Sequence, residues 1–352
     1  TLAGAHVRNA SVALGDVDGD GVDDIVVGAS DGKLYAYDGT GSLLWTFDSG
    51  PMAIEGKAAI ADVDGDGSAE VVVGSGSTFP PTSHGALYVI DHLGVEQCHF
   101  DTNNQIPDDW RDGVYSSPAV ADLDGNDNGK LEIVFGAWDH HVRALHHNCD
   151  VLWDRDVYDT VWSSPAIADL DKNGTLEVII GADSHEEPYP INTEDGGRLF
   201  VFDGATGDDR SGFPIQVDEV IASSPAIGDI DGDGYLDIVV GSGNCWGANN
   251  GCGIPYHPGV GEWIAAWDRN GSALTGWPFS LSGQYALGSP ALADINDDGS
   301  LEVVVNTSER GTSPEVGRVY VLSGAGAVLP GWPVQPSTPV DCDGNAAHYG
   351  TG

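Results

Sequence analysis

Basic residues are scarce. Thirteen lysines and arginines face 55 aspartates and glutamates in a chain of 352 residues, a formal net charge of −42. A surface of that sign repels nucleic acid and anionic membranes and attracts cations, so neither is an expected partner. No apolar run approaches the roughly 20 residues of a membrane helix, so no membrane span is expected. Methionine occurs once. Thr1 opens the chain with no initiator and no leader-like stretch, and a processed chain or a fragment is the expectation. Cysteine is sparse too, with five in all. Cys245 and Cys252 bracket the loop CWGANNGC and are read as a pair; Cys98 and Cys149 could form a second, leaving Cys342 over.

Glycine, by contrast, is plentiful at 50 residues, and long polar helical runs are few. That favours turns and strands. One stretch, DVDGDGVDD from Asp16, recurs as DVDGDGSAE from Asp62, DLDKNGTLE from Asp169, DIDGDGYLD from Asp229 and DINDDGSLE from Asp294. DLDGNDNGKLE from Asp122 is a looser copy. Several copies follow an SSPA-type segment, and each runs into an apolar stretch such as IVVG or EVVVG. Downstream comes an alternating piece (KLYAYDG, ALYVID, RLFVFDG), then one with a bulky residue (LLWTF, VLW, GFPI, GWPF, GWPV). Cys98 takes that bulky position in the second unit.

Four short apolar or alternating runs per unit, separated by Gly, Asp and Asn turns, describe a four-stranded antiparallel meander. Such meanders bury their faces by stacking radially, so the expected fold is an all-β β-propeller. Six blades are preferred, from about Asn9 to Val334. A seventh, incomplete blade is the alternative, because STPVDCDGN at 337–345 faintly echoes the repeat. Residues 1–340 are read as one propeller and 341–352 as a tail that completes a blade or meets a neighbouring molecule.

Like charges packed this densely need a counterion. Alternate side chains of a tight turn point inward, and the glycine at position 6 supports positive φ. Position 7, whose side chain varies, would lend its carbonyl. All-oxygen donor sets of this size suit Ca²⁺, with about six structural ions per chain. The expected ligands in the first two loops are Asp16, Asp18, Asp20, Val22 and Asp24, then Asp62, Asp64, Asp66, Ser68 and Glu70. The third loop draws on Asp122, Asp124, Asn126, Asn128 and Glu132. Two registers stay open there: Asp122, Asp124 and Glu132, or Asp124, Asn126, Asn128 and Glu132. The fourth offers Asp169, Asp171, Asn173, Thr175 and Glu177. The fifth has Asp229, Asp231, Asp233, Tyr235 and Asp237, and the sixth Asp294, Asn296, Asp298, Ser300 and Glu302. An EF-hand is excluded, because its closing Glu stands at position 12 between helices, whereas here an acid at position 9 opens a strand. His140, His141, His146 and His147 fall at opposite strand ends and are not expected to form a joint site.

These loops with their flanking strands resemble FG-GAP repeats, the units of the integrin alpha-subunit propeller and of many bacterial secreted proteins. The resemblance covers roughly residues 7–335. It implies calcium held in the hairpin between the first two strands of each blade. SSPA replaces the Gly-Ala-Pro often seen in the family, and no inserted adhesion domain fits the intervals, so integrin-type ligand recognition does not carry over.

Loop length varies most at 77–85, 103–117, 183–197, 243–262 and 307–317, on the rim opposite the acidic hairpins. Variable loops on a rigid scaffold are where binding specificity arises. Trp110, Trp138, Tyr189, Trp246 and Tyr256 are the expected ligand contacts, whereas Tyr115 and Trp162, just before SSPA, read as interior plugs. The tryptophans of the GWP pieces read as packing between blades. The expected role is an extracellular, calcium-stabilised module for binding, adhesion or surface assembly, with a glycan or protein ligand at the cell surface. Self-assembly is a further expectation, and no catalytic residue is assigned. A polysaccharide lyase or hydrolase is the alternative, with Asp108, Asp109, Arg111, His185, Glu186, Glu187 and His257 as recruits, though no spacing singles out a pair. A structural filament subunit is the third reading.

Overall fold

The computed structural model describes residues 6–7, 11–76, 85–102, 112–126, 128–184, 196–243, 261–286, 288–309 and 317–335. Among them there is no helix. The first sheet runs β1 (Ala13–Gly15), β2 (Asp24–Gly28), β3 (Lys33–Tyr37) and β4 (Leu43–Asp48). The second is β5 (Ala59–Ala61), β6 (Glu70–Ser75), β7 (Gly85–Ile90) and β8 (Glu96–Thr102). The third is β9 (Ala119–Ala121), β10 (Glu132–Gly136), β11 (His141–Leu145) and β12 (Val151–Asp156). The fourth holds β13 (Ala166–Ala168), β14 (Glu177–Ser184), β15 (Gly196–Asp203) and β16 (Ile215–Val217). The fifth holds β17 (Ala226–Gly228), β18 (Asp237–Gly241), β19 (Trp263–Trp267) and β20 (Phe279–Ser280). Each of these is a meander in chain order. In the sixth sheet β21 (Gln284–Tyr285) and β22 (Ala291–Ala293) both pair with β23 (Glu302–Glu309), which pairs with β24 (Arg318–Leu322). Bridges Leu322–Val328 and Val319–Val334 add the fourth-strand segment of that blade.

The all-β expectation therefore holds: six four-stranded antiparallel sheets, the blades of a β-propeller. The echo of a seventh lies outside the described residues, as does the tail. The chain gathers into two compact units, Thr1–Ile167 with Asp203–Gly207, and Ala168–Phe202 with Asp208–Gly352.

Why these residues stack is visible in the first unit. After its opening acid the second strand of a blade is mainly apolar because neighbouring sheets cover both its faces; β6 and β10 are buried at every position. Val26, Leu34 and Phe47 pack on Ile54, Val71 and Ile90, and Val72 and Leu87 pack in turn on Ile133 and Phe135. The SSPA segments have a specific task. The amide at the second serine position donates to the hydroxyl of the same position one blade on: Lys57 to Ser117 (3.1 Å) and Ser117 to Ser164 (2.9 Å). In the second unit, Ser224 to Ser289 (2.9 Å) repeats the pattern.

The bulky fourth-strand residue makes the outer seam. Trp45 donates its indole N–H to His92 O, Trp153 to Gly204 O and Trp277 to Gly324 O. Trp45 and Trp153 lie so close over Gly94 and Gly207 that a Cβ there would meet the ring at 2.8 and 2.7 Å. In the second blade this position is Cys98, and the turn residue it meets, with positive φ where other blades have glycine, is Cys149. The two form a disulfide. A covalent bond thus replaces the ring-on-glycine contact, and the Cys98–Cys149 pairing is met. Cys245, Cys252 and Cys342 lie outside the described residues. For a cross-link spanning 51 residues, the chain-entropy account gives about 4 kcal/mol of stabilisation. A Cys98→Ala/Cys149→Ala variant is expected to unfold at clearly lower urea concentration; an unchanged midpoint would contradict this.

Candidate metal centres

The six acidic loops are the hairpins between the first two strands of each blade, where the sequence placed them. One hydrogen bond recurs in all of them. The closing acid (position 9, or 11 in the longer third loop), the first residue of the second strand, accepts the amide of position 2. Asp24 takes Val17, Glu70 Val63, Glu132 Leu123, Glu177 Leu170, Asp237 Ile230 and Glu302 Ile295, all at 2.8–2.9 Å. This bond draws the acid beneath the turn, and all six are buried.

The position-1 aspartate braces the turn from the other side. Asp16 accepts Gly19 and Gly21 N–H at 2.8 and 2.9 Å, and Asp62 accepts Gly65 and Gly67 likewise. Positions 3 and 5 close successive Asx turns: Asp20 N–H to Asp18 and Val22 N–H to Asp20, with matching bonds at Asp64, Asp66 and Ser68. Tyr235 and Ser300 donate to Asp233 and Asp298 in the same way, and Thr175 to Asn173. The side chains of positions 1 and 3 thereby converge with the closing acid or, in the second loop, with position 5. One oxygen each from Asp16, Asp18 and Asp24 lies within 4.8 Å of the others, as in the sets Asp62, Asp64, Asp66; Asp169, Asp171, Glu177; and Asp229, Asp231, Asp237.

Whether a cation fits is tested by the oxygens left over. Glu70 is fully buried; one of its carboxylate oxygens takes Val63 N–H, and the other, Oε1, has no hydrogen-bond partner. Asp171 Oδ1 is likewise buried without one, although Arg210 bonds the other oxygen of that carboxylate. A buried anionic oxygen with nothing to bond is costly unless a cation reaches it. Burial pushes the Glu70 carboxyl upward, opposed by its bond from Val63, and burial raises Asp237 to about 6. These acidic sets could hold a metal ion.

The hairpins are not alike. In the third, the two extra residues add one Asx step, Asp124 to Asn126 to Asn128, each taking the amide two residues on. Asp122 still braces Gly125. Asn128 thus takes the role Asp20 has in the first loop. The spare oxygen of Glu132 lies 3.1 Å from His146 Nδ1, and Asp124, Glu132 and His146 offer converging ligand atoms. In the fourth, Arg210 donates to Glu177 Oε1 at 2.5 Å and to Asp171 Oδ2 at 2.7 Å. The Arg210 hydrogen bond lowers the Asp171 carboxyl below its ordinary range. In the fifth, Arg269 rests over the Tyr235 ring at 3.5 Å and reaches Asp233 at 3.4 Å. In the sixth, the Asn296 side-chain amide donates to Glu302 Oε1 at 3.2 Å. Sequence reading missed His146 and Arg210, which come from other strands or turns of the same blade.

Of the aromatic rim candidates, Trp138 is described, and it is buried rather than presented. Its ring sits 4.5 Å from Tyr115 and 4.4 Å from Trp162. The reason is the turn it occupies: Trp138 N–H bonds Gly113 O, which folds the ring inward onto the segment carrying Tyr115. Trp110, Tyr189, Trp246 and Tyr256 lie outside the described residues, as do Asp108, Asp109, Arg111, His185, Glu186, Glu187 and His257.

The sequence pattern of the FG-GAP-like repeat family matches residues 16–73, and that of the FG-GAP repeat matches residues 222–249. The chain carries FG-GAP repeats. In fold it is similar to rhamnogalacturonan lyase YesW (17% identity, TM-score 0.57, covering 92% of this chain and 57% of that one). It is also similar to the exotype rhamnogalacturonan lyase YesX (17% identity, TM-score 0.59, covering 94% and 55%). The chain thus spans a little over half the length of these enzymes, and the likeness is one of fold. No curated protein matches its sequence.

Proposed function

We propose that this FG-GAP protein is an extracellular, calcium-stabilised propeller that serves as a binding, adhesion or surface-assembly module. The observation that carries the reading is the repeated hairpin with its buried carboxylate, above all the unpartnered Oε1 of Glu70. Calcium is the ion that fits: the donors are oxygens, and calcium accepts six to eight of them in a flexible geometry where magnesium demands a near-ideal octahedron. The donors it would use are the carboxylates of positions 1, 3, 5 and 9 with the position-7 carbonyl. Millimolar free calcium outside cells supports the extracellular assignment, and the Cys98–Cys149 bond is compatible with it.

Ions held in the hairpins would leave the opposite rim for ligands. With Trp138 buried, the expected contacts that remain are Trp110, Tyr189, Trp246 and Tyr256, residue types suited to sugars or to a protein partner. The test is a glycan array probed with the full chain in calcium and in chelator, alongside electron microscopy for polymers. Calcium-dependent capture of a glycan, or ordered polymers, is the expected result. Release of unsaturated sugar from pectic polysaccharide would overturn the module reading in favour of a lyase.

A further inference from the structure

The residue after the first bridge of each fourth strand occupies one structural position, fixed by pairing. Tyr37–Leu43, Ile90–Glu96, Leu145–Val151, Phe202–Asp209, Trp267–Ala273 and Leu322–Val328 are equivalent pairs. The following residues are therefore Leu44, Gln97, Leu152, Arg210, Leu274 and Leu329. Backbone bonds confirm the equivalence in the last three blades. Arg210, Leu274 and Leu329 donate to Val201, Ala266 and Val321, and accept from Phe213, Trp277 and Trp332. Four of the six blades put leucine there. The fourth alone puts a guanidinium, in a chain with 13 basic residues against 55 acidic ones.

That guanidinium points into the acidic hairpin. It bonds the inner oxygen of Glu177, the counterpart of the Glu70 oxygen that has no partner, and an oxygen of Asp171 at position 3. Gln97, at the same position in the second blade, also faces its hairpin, but its amide reaches Asp64 only at 3.5 Å and brings no charge. Arg269 differs as well: it lies on Tyr235 and reaches the outlying Asp233.

We infer that Arg210 is the built-in counterion of the fourth hairpin, so that this blade is ordered without a metal ion while the other hairpins depend on one. The inference rests on the calcium reading of the other hairpins. Two ligand oxygens engaged by a fixed cation are withdrawn from any Ca²⁺, and a guanidinium beside the site repels a second positive charge. The fourth hairpin would then be the constitutive one, holding its shape when calcium is low.

Hydrogen exchange on the full chain tests this, in millimolar calcium and in excess chelator. Peptides spanning Leu170–Glu177 should change protection less than twofold on chelation, whereas those covering Gly19–Gly21 and Gly65–Gly67 should lose at least tenfold. Arg210→Leu, which installs the residue of four other blades, should make the fourth hairpin follow calcium and raise the bound calcium by one ion per chain. A variant that folds only with calcium present supports the inference equally. Loss of protection in the fourth hairpin of the unaltered chain, matching the second, would overturn it, as would an unchanged ion count in Arg210→Leu. Should the first and second hairpins also ignore chelator, the calcium reading itself fails and this inference falls with it.

Discussion

Excess chelator is expected to lower the melting temperature of this protein by about 15 °C. Each ion held at a hundredfold excess over its dissociation constant stabilises the folded state by about 2.7 kcal/mol. Five such hairpins, leaving aside the one filled by Arg210, sum to about 13 kcal/mol. At the usual unfolding entropy of about 2 cal/mol/K per residue, a chain of this size converts that into a shift between about 15 and 20 °C. The physical origin is local. Asp16 or Asp62 cannot keep accepting two glycine amides while three or four other carboxylates crowd the same turn, unless a cation offsets their repulsion. Differential scanning calorimetry in calcium and in chelator decides the matter, and coincident melting curves would sink the metal assignment. Magnesium in place of calcium should recover only a small part of the shift, because it gives up its hydration water reluctantly.

The second large effect concerns packing. Gly74 lies in β6, where the chain entering the third blade crosses it. A Cβ at Gly74 would sit 2.4 Å from Val114 Cγ1 and 2.7 Å from the Val114 carbonyl oxygen. The side chain could rotate away; the backbone oxygen could not, because the Val114 amide is pinned to Ser75 O at 3.0 Å. Gly74→Ala is therefore expected to cost about 3 kcal/mol, the upper range for overpacking. Gly74→Val should leave the chain largely insoluble. A melting temperature for Gly74→Ala within 1 °C of the parent, roughly what a fraction of a kcal/mol gives, would show that the seam can spread.

Much of this was legible in the sequence because it is local and repeated. The position-9 acid, the position-6 glycine and the apolar run after them lie within 13 residues, and each recurs in one context. The four-strand unit and its six copies followed from the same repetition. What escaped reading depends on partners brought close by strand pairing. Arg210 is 33 residues from Glu177 and 39 from Asp171, in a turn-to-strand piece that looks unremarkable in isolation. Its signal was available only by aligning the repeats residue by residue, where it falls in line with Leu44, Leu152, Leu274 and Leu329. His146 was set aside as lying at the far end of a strand from His140 and His141, which is true; its neighbour is instead Glu132 on the adjacent strand. Trp138 looked like a rim residue because turns usually expose their aromatics. Its burial follows from the company of Tyr115 and Trp162, which no local pattern encodes.

The cross-link between Cys98 and Cys149 has a mechanical meaning. Tension along the chain would have to peel the first blade from the second by lifting Trp45 off Gly94 and parting the apolar core that Val26, Leu34 and Phe47 share with Val71 and Ile90, a separation that non-covalent contacts alone resist. The next joint cannot part that way, since two sulfur atoms tether it. A stretched molecule would therefore give way in a set sequence, and a thiol reductant would erase that ordering.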